Sequence, residues 1–336
     1  MVRISDIFDR HDDERKKKKD IPSVPDVNID AGADKGIPAT GGVSEAGDLY
    51  KEMASLIKRL YKTQLSEYPD LELSIKSIIG RIIDSLAQGN QELLHLATSD
   101  YFISEEYLYY HAANSCIISL LVGSALGYEK AKMMDLGLAA MLHDIGIVKY
   151  TDIVNKKEVL TKEEYNKIKE HPIVSKEMLN KFGITGINIV QAVQQEHERL
   201  DGTGYPSGLK SDNVSEFAQI IGLVDVYEAM LHIRPYRSKH SPLETIKLVL
   251  NDKSAFNSRV IKIIIEKIGI FPIGTRVRLN TKETGYVIRN NGRLPLRPLV
   301  EIRYDSYGKE LKQVKNIDLA ENTMICIEEC LTNSKS

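Results

Sequence analysis

The stretch "MMDLGLAAMLHDIG", residues 133–146, is apolar over most of its length and closes on a histidine, an aspartate and a glycine. Such a run suits the core-facing body of a helix, which puts His143 and Asp144 at its buried end. A buried carboxylate must be paired, protonated or bound to a cation. A capping network at the helix end would serve as well, and His-Asp pairs are common by chance. The pair alone leaves a metal site and an ordinary cap both open.

Helical patterning surrounds this stretch. "LYKEMASLIKRLYKTQL" places apolar residues at 49, 53, 56, 57, 60 and 61, and "SIKSIIGRIIDSLAQG" predicts a further helix ending near Gly89. "YHAANSCIISLLVGSALG", "HPIVSKEMLNKFG", "FAQIIGLVDVYEAMLH" and "SPLETIKLVLND" continue the signal to about residue 268, several of them closing on glycine. After Phe271 it changes to short β-rich runs, "TRVRLN", "GYVIRN", "PLVEIRY" and "KQVKNIDL", separated by turns. The expected class is mainly α: a helical bundle with an N-terminal helical region and a small C-terminal β-rich segment. The division is 1–48, a disordered or linker arm rich in charge, Gly and Pro; 49–100, the N-terminal helical region; 101–270, the main helical domain; and 271–330, the β-rich segment. The helices at 49–100 are candidates for a small regulatory or dimerisation region, which leaves a homodimer open.

Composition narrows the function classes. A formal net charge of −2 gives no basis for whole-surface binding to nucleic acid, so no DNA partner is expected. The run "RKKKKD" in the arm is read as a solvated tail rather than a lipid or nucleic-acid contact. No apolar run reaches the roughly 18 residues of a membrane span, and the N-terminus lacks a signal core. Cys116, Cys326 and Cys330 form no disulfide framework, and a zinc site at Cys326 and Cys330 is not expected. A cytoplasmic, reduced protein is expected.

His111, His143, His171, His197 and Asp225 follow one another at intervals of 32, 28, 26 and 28 residues. A straight helix of about 28 residues would carry a group about 42 Å away, whereas a helix, a turn and a returning helix bring it back to the same end. Each residue also has an ordinary reading. His111 suits a satisfied core histidine, His171 before Pro172 a helix-start cap, and Asp225 a salt bridge on an apolar face beside Ile221, Val224 and Ala229. The segment "QQEHERLDGTGYP", residues 194–206, is more specific. Gly202, Gly204 and Pro206 dictate an irregular loop, Asp201 and Tyr205 can hydrogen-bond within it, and His197 and Glu198 stand directly upstream.

Taken together, "HDIG" (143–146), "EHP" (170–172), "HERLDGTGYP" (197–206), "VDVYEAM" (224–230) and "RPYR" (234–237) resemble the HD-GYP family, a branch of the HD phosphohydrolases. The resemblance runs from about His111 to Arg237. It implies an HD-type helical bundle with two divalent metal ions, iron or manganese, and hydrolysis of the bacterial second messenger cyclic di-GMP to pGpG, with continuation to GMP left open. His111, His143, Asp144, His171, His197 and Asp225 fall on ligand positions, with Asp144 bridging the metals and a bridging hydroxide as nucleophile. Arg234 and Arg237 fall on phosphate-contacting positions. Three departures stand out. Tyr107 replaces a glutamate of three-metal relatives, which argues for two metals. Glu196 replaces the first of two consecutive histidines and is an uncertain ligand. Ile147 replaces a lysine that follows "HDIG", leaving Lys149 as a weak substitute for a catalytic role. A second reading stays open: a weakly active or inactive sensor that binds nucleotide, or a signalling protein through the GYP surface. Another cyclic dinucleotide as substrate stays open too.

Overall fold

The computed structural model describes residues 44–62, 71–99, 106–156, 160–232 and 240–331. Most of the expected arm lies outside them, as do Arg234 and Arg237. The first helix, α1 (Glu45–Lys62), begins four residues ahead of the expected boundary. Ser44 Oγ accepts the Gly47 N–H at 3.0 Å and starts the helix. Acidic residues stand in its first turn and basic residues in its last, as the helix dipole favours.

The helices α2 (Leu71–Ala87) and α3 (Gln91–Thr98) follow, the latter capped by Asn90. Next come α4 (Tyr107–Ala125) and α5 (Lys130–Leu142), a tightly packed pair. A 3-10 turn (Ile145–Tyr150) and the single turn α6 (Thr151–Val154) lead to α7 (Lys162–Ile168). Then come α8 (His171–Lys181), α9 (Ile187–Gln195), α10 (Glu216–Leu231), α11 (Pro242–Asn251) and α12 (Ser258–Lys267). In α10 nearly every residue from Phe217 to Leu231 is buried, so this helix runs through the interior instead of lying on a surface.

Met53 and Ile57 of α1, Ile79 of α2, Ile117 of α4, Ile221 of α10 and Ile264 of α12 belong to one continuous apolar core. The N-terminal helices therefore bury their stripes against the same interior as the helices that carry the site. No described helix is long and apolar enough to cross a membrane.

The C-terminal part is a five-stranded antiparallel sheet: β1 (Arg276–Leu279), β2 (Thr284–Arg289), β3 (Leu299–Tyr304), β4 (Glu310–Asp318) and β5 (Ile327–Cys330). The order is β4-β3-β2-β1-β5, with Val277 opposite Gly285 and Val287 opposite Val300. Val277, Leu279, Val287, Val300 and Ile302 face a second, separate core, while Arg276 and Arg278 alternate outward. Four strands match the expected runs. The fifth, "IEEC", has only four residues and two outward glutamates, too little pattern for the sequence to announce it.

Candidate metal centre

The apolar body of α5 ends at Leu142, and the chain leaves the helix at once. His143 is still helical, but Asp144 sits at φ −94°, ψ 11°, before the 3-10 turn. Pro172 lies in the first turn of α8, so the helix opens at His171 as expected. The two segments are pressed together at Gly146. Its N–H donates to Ser175 Oγ at 2.8 Å, and a Cβ there would lie 2.4 Å from the His171 carbonyl oxygen. Only glycine allows this approach, which sets Asp144 beside His171.

The segment after α9 is folded back on itself. Tyr205 N–H donates to the His197 carbonyl at 3.1 Å, and the Tyr205 ring stacks on the His197 ring at 4.6 Å. Asp201 accepts from the Thr203 N–H and hydroxyl at 3.0 and 2.7 Å. The buried Glu198 carboxylate accepts the Ser207 and Leu209 N–H groups at 2.7 and 2.9 Å. A side chain at Gly204 would lie 2.3 Å from Arg199 N and 2.4 Å from the His197 carbonyl oxygen. The loop is thus a brace for His197.

Four helices and this loop converge on one cluster. His171 Nε2 stands 3.0 Å from Asp144 Oδ1, 3.4 Å from Glu196 Oε1 and 3.1 Å from His197 Nε2. His111 Nε2 stands 3.1 Å from Asp225 Oδ1 and 3.7 Å from Asp144 Oδ2. His143 Nε2 is 3.7 Å from both Asp144 Oδ2 and Glu196 Oε2. Donor atoms of Asp144, His171, Glu196 and His197 lie within 4.8 Å of one another, as do those of His111, His143 and Asp144. Asp144 is common to both groups.

The far nitrogens of three of the rings are engaged. His143 Nδ1–H donates to the Ala140 carbonyl at 2.8 Å and His171 Nδ1–H to the Ile168 carbonyl at 2.7 Å. His111 Nδ1 meets the Glu228 carboxylate, which also accepts from Asn114 at 2.9 Å. These bonds turn the Nε2 lone pairs into the cluster, the arrangement that metal-binding imidazoles adopt.

Residues 99–258 match the HD domain, and residues 276–335 match a KOW domain associated with HD domain. The chain is 32% identical over 218 residues to a cyclic di-GMP phosphodiesterase of Pseudomonas aeruginosa, covering 65% of this chain and 51% of that one. It is 33% identical over 198 residues to the cyclic di-GMP phosphodiesterase PdeB of Borreliella burgdorferi, covering 57% and 52%. Over its HD-domain segment the chain is thus similar to cyclic di-GMP phosphodiesterases. It spans about half the length of these relatives. An HDG"Y"P protein from Bdellovibrio bacteriovorus shares the fold, with a TM-score of 0.55, 16% identity, and coverage of 68% of this chain and 73% of that one.

HD domains depend on metal, and the donor set here fits one. Glu196 is fully buried, and among the described residues neither carboxylate oxygen has a hydrogen-bond partner; the buried His143 Nε2 has none there either. A polar group in that state is costly, and a divalent cation in each of the two donor groups would satisfy both. Imidazole nitrogens with carboxylate oxygens suit iron, manganese or zinc.

Electrostatics agree. Burial opposes the charge on Asp144, but His143, His171 and His111 hold its carboxyl well below the usual range. Burial pushes Glu196 up, against the pull of His143 and His171. Burial also works against charge on His171, yet Asp144 and Glu196 bring it up to about 10. Burial and the neighbouring His171 push His197 down to about 3.

Six of the ligand positions that the HD-GYP resemblance implied, and the uncertain seventh at Glu196, are brought together. Lys149 is not: it is exposed, and its Nζ lies 4.0 Å from Glu177 Oε2. The 3-10 turn places it at the surface beside Glu177. Ile147 is buried, and Tyr107 is buried at the start of α4. The sequence reading missed Glu228, although a charge three residues after Asp225 on an apolar helix is the same signal that singled out Asp225. It also missed Lys169, whose Nζ lies 4.7 and 5.3 Å from the Tyr165 and Tyr205 ring centroids. A half-exposed lysine carries no signal of its own until the rings are in place.

Proposed function

We propose that the chain is a metal-dependent phosphodiesterase that hydrolyses cyclic di-GMP to pGpG, with onward hydrolysis to GMP decided by product analysis. The observation that carries this reading is the double donor cluster sharing Asp144, with the buried carboxylate of Glu196 completing it. His111, His143, Asp144 and Asp225 would hold one cation, and Asp144, His171, Glu196 and His197 the other. Two divalent cations, iron or manganese, would supply Lewis acidity toward the phosphodiester and lower the pKa of the attacking water.

The protein supplies the rest. Ala140, Ile168 and Glu228 hold three imidazoles so that no ring reorganises when substrate arrives. Glu198 and Gly204 brace the loop that presses Tyr205 onto His197. Lys169, seated over Tyr165 and Tyr205, offers a cation and two ring faces at the rim, suited to the second phosphate and a base of a cyclic dinucleotide. Arg234 and Arg237 are proposed to contact phosphate as well.

The wider proposal places the protein in the cytoplasm, assigns regulation or dimerisation to the helices at 49–100, and seats a signalling protein on the exposed face of the GYP loop. Light scattering reads the homodimer. The central test loads purified protein anaerobically with iron(II) or manganese(II), supplies cyclic di-GMP and separates products by chromatography. Linear pGpG is expected. Its absence at two metals per chain refutes the activity and leaves the ligand-binding sensor.

A further inference from the structure

Tyr50 stands on α1, upstream of the matched HD segment, which begins at residue 99. Helix α1 packs along α4, the helix that carries His111. Three polar side chains are buried in a row across α1, α4 and α10. The Tyr50 hydroxyl donates to Asn114 Oδ1 at 2.6 Å. The Asn114 Nδ2–H donates to Glu228 Oε1 at 2.9 Å. Glu228 Oε2 accepts from His111 Nδ1–H, and His232 Nδ1 lies 2.9 Å from Oε1. Tyr50 is 5% exposed, Asn114 0% and Glu228 1%, so bulk water does not reach these bonds. The Tyr50 ring also stacks on Tyr110, the residue before His111, at 5.9 Å and 29°. Phenylalanine at 50 and leucine at 114 would fill the same interface with no polar group to satisfy, so packing does not account for the pair. Its orientation does. An amide has one acceptor end and one donor end; the Tyr50 O–H takes the oxygen, which leaves the NH2 facing the carboxylate.

We infer that Tyr50 is a positioning residue for the metal ligand His111, acting through Asn114 and Glu228, and that α1 is part of the metal centre's support. This rests on the proposal that the cluster binds metals. With the amide fixed, Glu228 presents one oxygen to Asn114 and His232 and keeps the other for His111, whose Nε2 then faces Asp144 and Asp225. Without the Tyr50 donor the Asn114 oxygen is left buried and unpaired, and the amide is free to turn away from the carboxylate. The N-terminal helices gain a route to the metals: a shift of α1 that breaks the Tyr50–Asn114 bond loosens Glu228 and with it the His111 ring.

The test titrates manganese into full-length wild-type protein and into Tyr50→Phe, Glu228→Gln and the double variant. Tyr50→Phe keeps the ring on Tyr110, and its melting temperature without metal should stay within a few degrees of wild type. The dissociation constant for one of its two manganese ions should rise about 2- to 10-fold, the range for losing one hydrogen bond. In the Glu228→Gln background the same substitution should add little, because Tyr50 acts through that carboxylate. At saturating manganese, KM for cyclic di-GMP should match wild type. Equal manganese affinity in Tyr50→Phe and wild type overturns the inference and leaves the phosphodiesterase proposal standing. A fully additive loss in the double variant overturns it too, because Tyr50 would then act through packing alone. Failure of wild type to bind manganese overturns both. If affinity responds as expected but no cyclic di-GMP is cleaved, Tyr50 keeps its role and the phosphodiesterase proposal falls.

Discussion

Replacing Gly146 by alanine tests whether the two halves of the cluster are held in place by a single backbone contact. The added Cβ would lie 2.4 Å from the His171 carbonyl oxygen, 2.6 Å from Ser175 N and 2.7 Å from Ser175 Oγ. Ordinary contact begins near 3.4 Å, so the 3-10 turn and α8 must separate by about 1.0 Å along the shortest of these vectors. The first two of these atoms are backbone and cannot rotate aside. Asp144 lies two residues before Gly146, and its Oδ1 is 3.0 Å from His171 Nε2. Metal–ligand distances tolerate only about 0.2 Å, so a shift of that size separates ligands that must share one cation. Overpacking of this kind costs about 1–3 kcal/mol, which the large shared core can absorb. The expected protein is folded, with a melting temperature lowered by a few degrees, but retains at most one of two manganese ions per chain. Metal analysis after gel filtration and thermal melts read both quantities. Ser175→Ala, which removes the hydrogen bond to Gly146 N–H without adding an atom, should keep both metals. Two metals per chain and a wild-type melt in Gly146→Ala would refute the steric argument.

Other outcomes follow from the same geometry. Glu228→Gln leaves the His111 ring packed but weakens the carboxylate that orients it, so affinity for the weaker-held manganese should fall about 10- to 100-fold in a metal titration. Metal uptake should strengthen with pH. His171 lies at about 10 in the metal-free protein, so near pH 7 an incoming cation must displace its proton, and apparent affinity should rise as pH increases from 6 to 8; a flat profile would exclude this competition. The same raised value stabilises the metal-free fold fully below the unfolded histidine value near 6.5 and is lost as pH climbs through about 10, which pH-dependent melts of chelated protein would register. Lys169→Ala should raise KM for cyclic di-GMP about tenfold with kcat little changed, since its ring contacts place it at the rim; an equal loss in kcat would move it into the reaction itself.

Much of the site was legible from residue types alone. A charge on an otherwise apolar helix has to be neutralised wherever the helix packs, so Asp144 and Asp225 were visible before any geometry. The proline after His171 and the glycines of the 202–206 loop dictate local backbone, and the structure has a helix start and a tight brace there. The alternating runs after Phe271 forecast four strands of the sheet, because period-two burial is a local property. Lys149 could not be judged in this way. Whether a residue two positions past a helix end returns to the site depends on the turn, and the 3-10 turn sends it to Glu177.

What the sequence determined by itself was the helical class and the C-terminal sheet, since these follow from periodicity and turn chemistry; the list of ligating residues came with the HD-GYP resemblance. Tertiary structure alone decided that Glu196 stands inside the cluster beside His143 and His171, and that Glu228 orients His111. Those are contacts between residues separated by tens to more than a hundred positions. A sequence records which groups need partners, but the partner is chosen by how the helices pack.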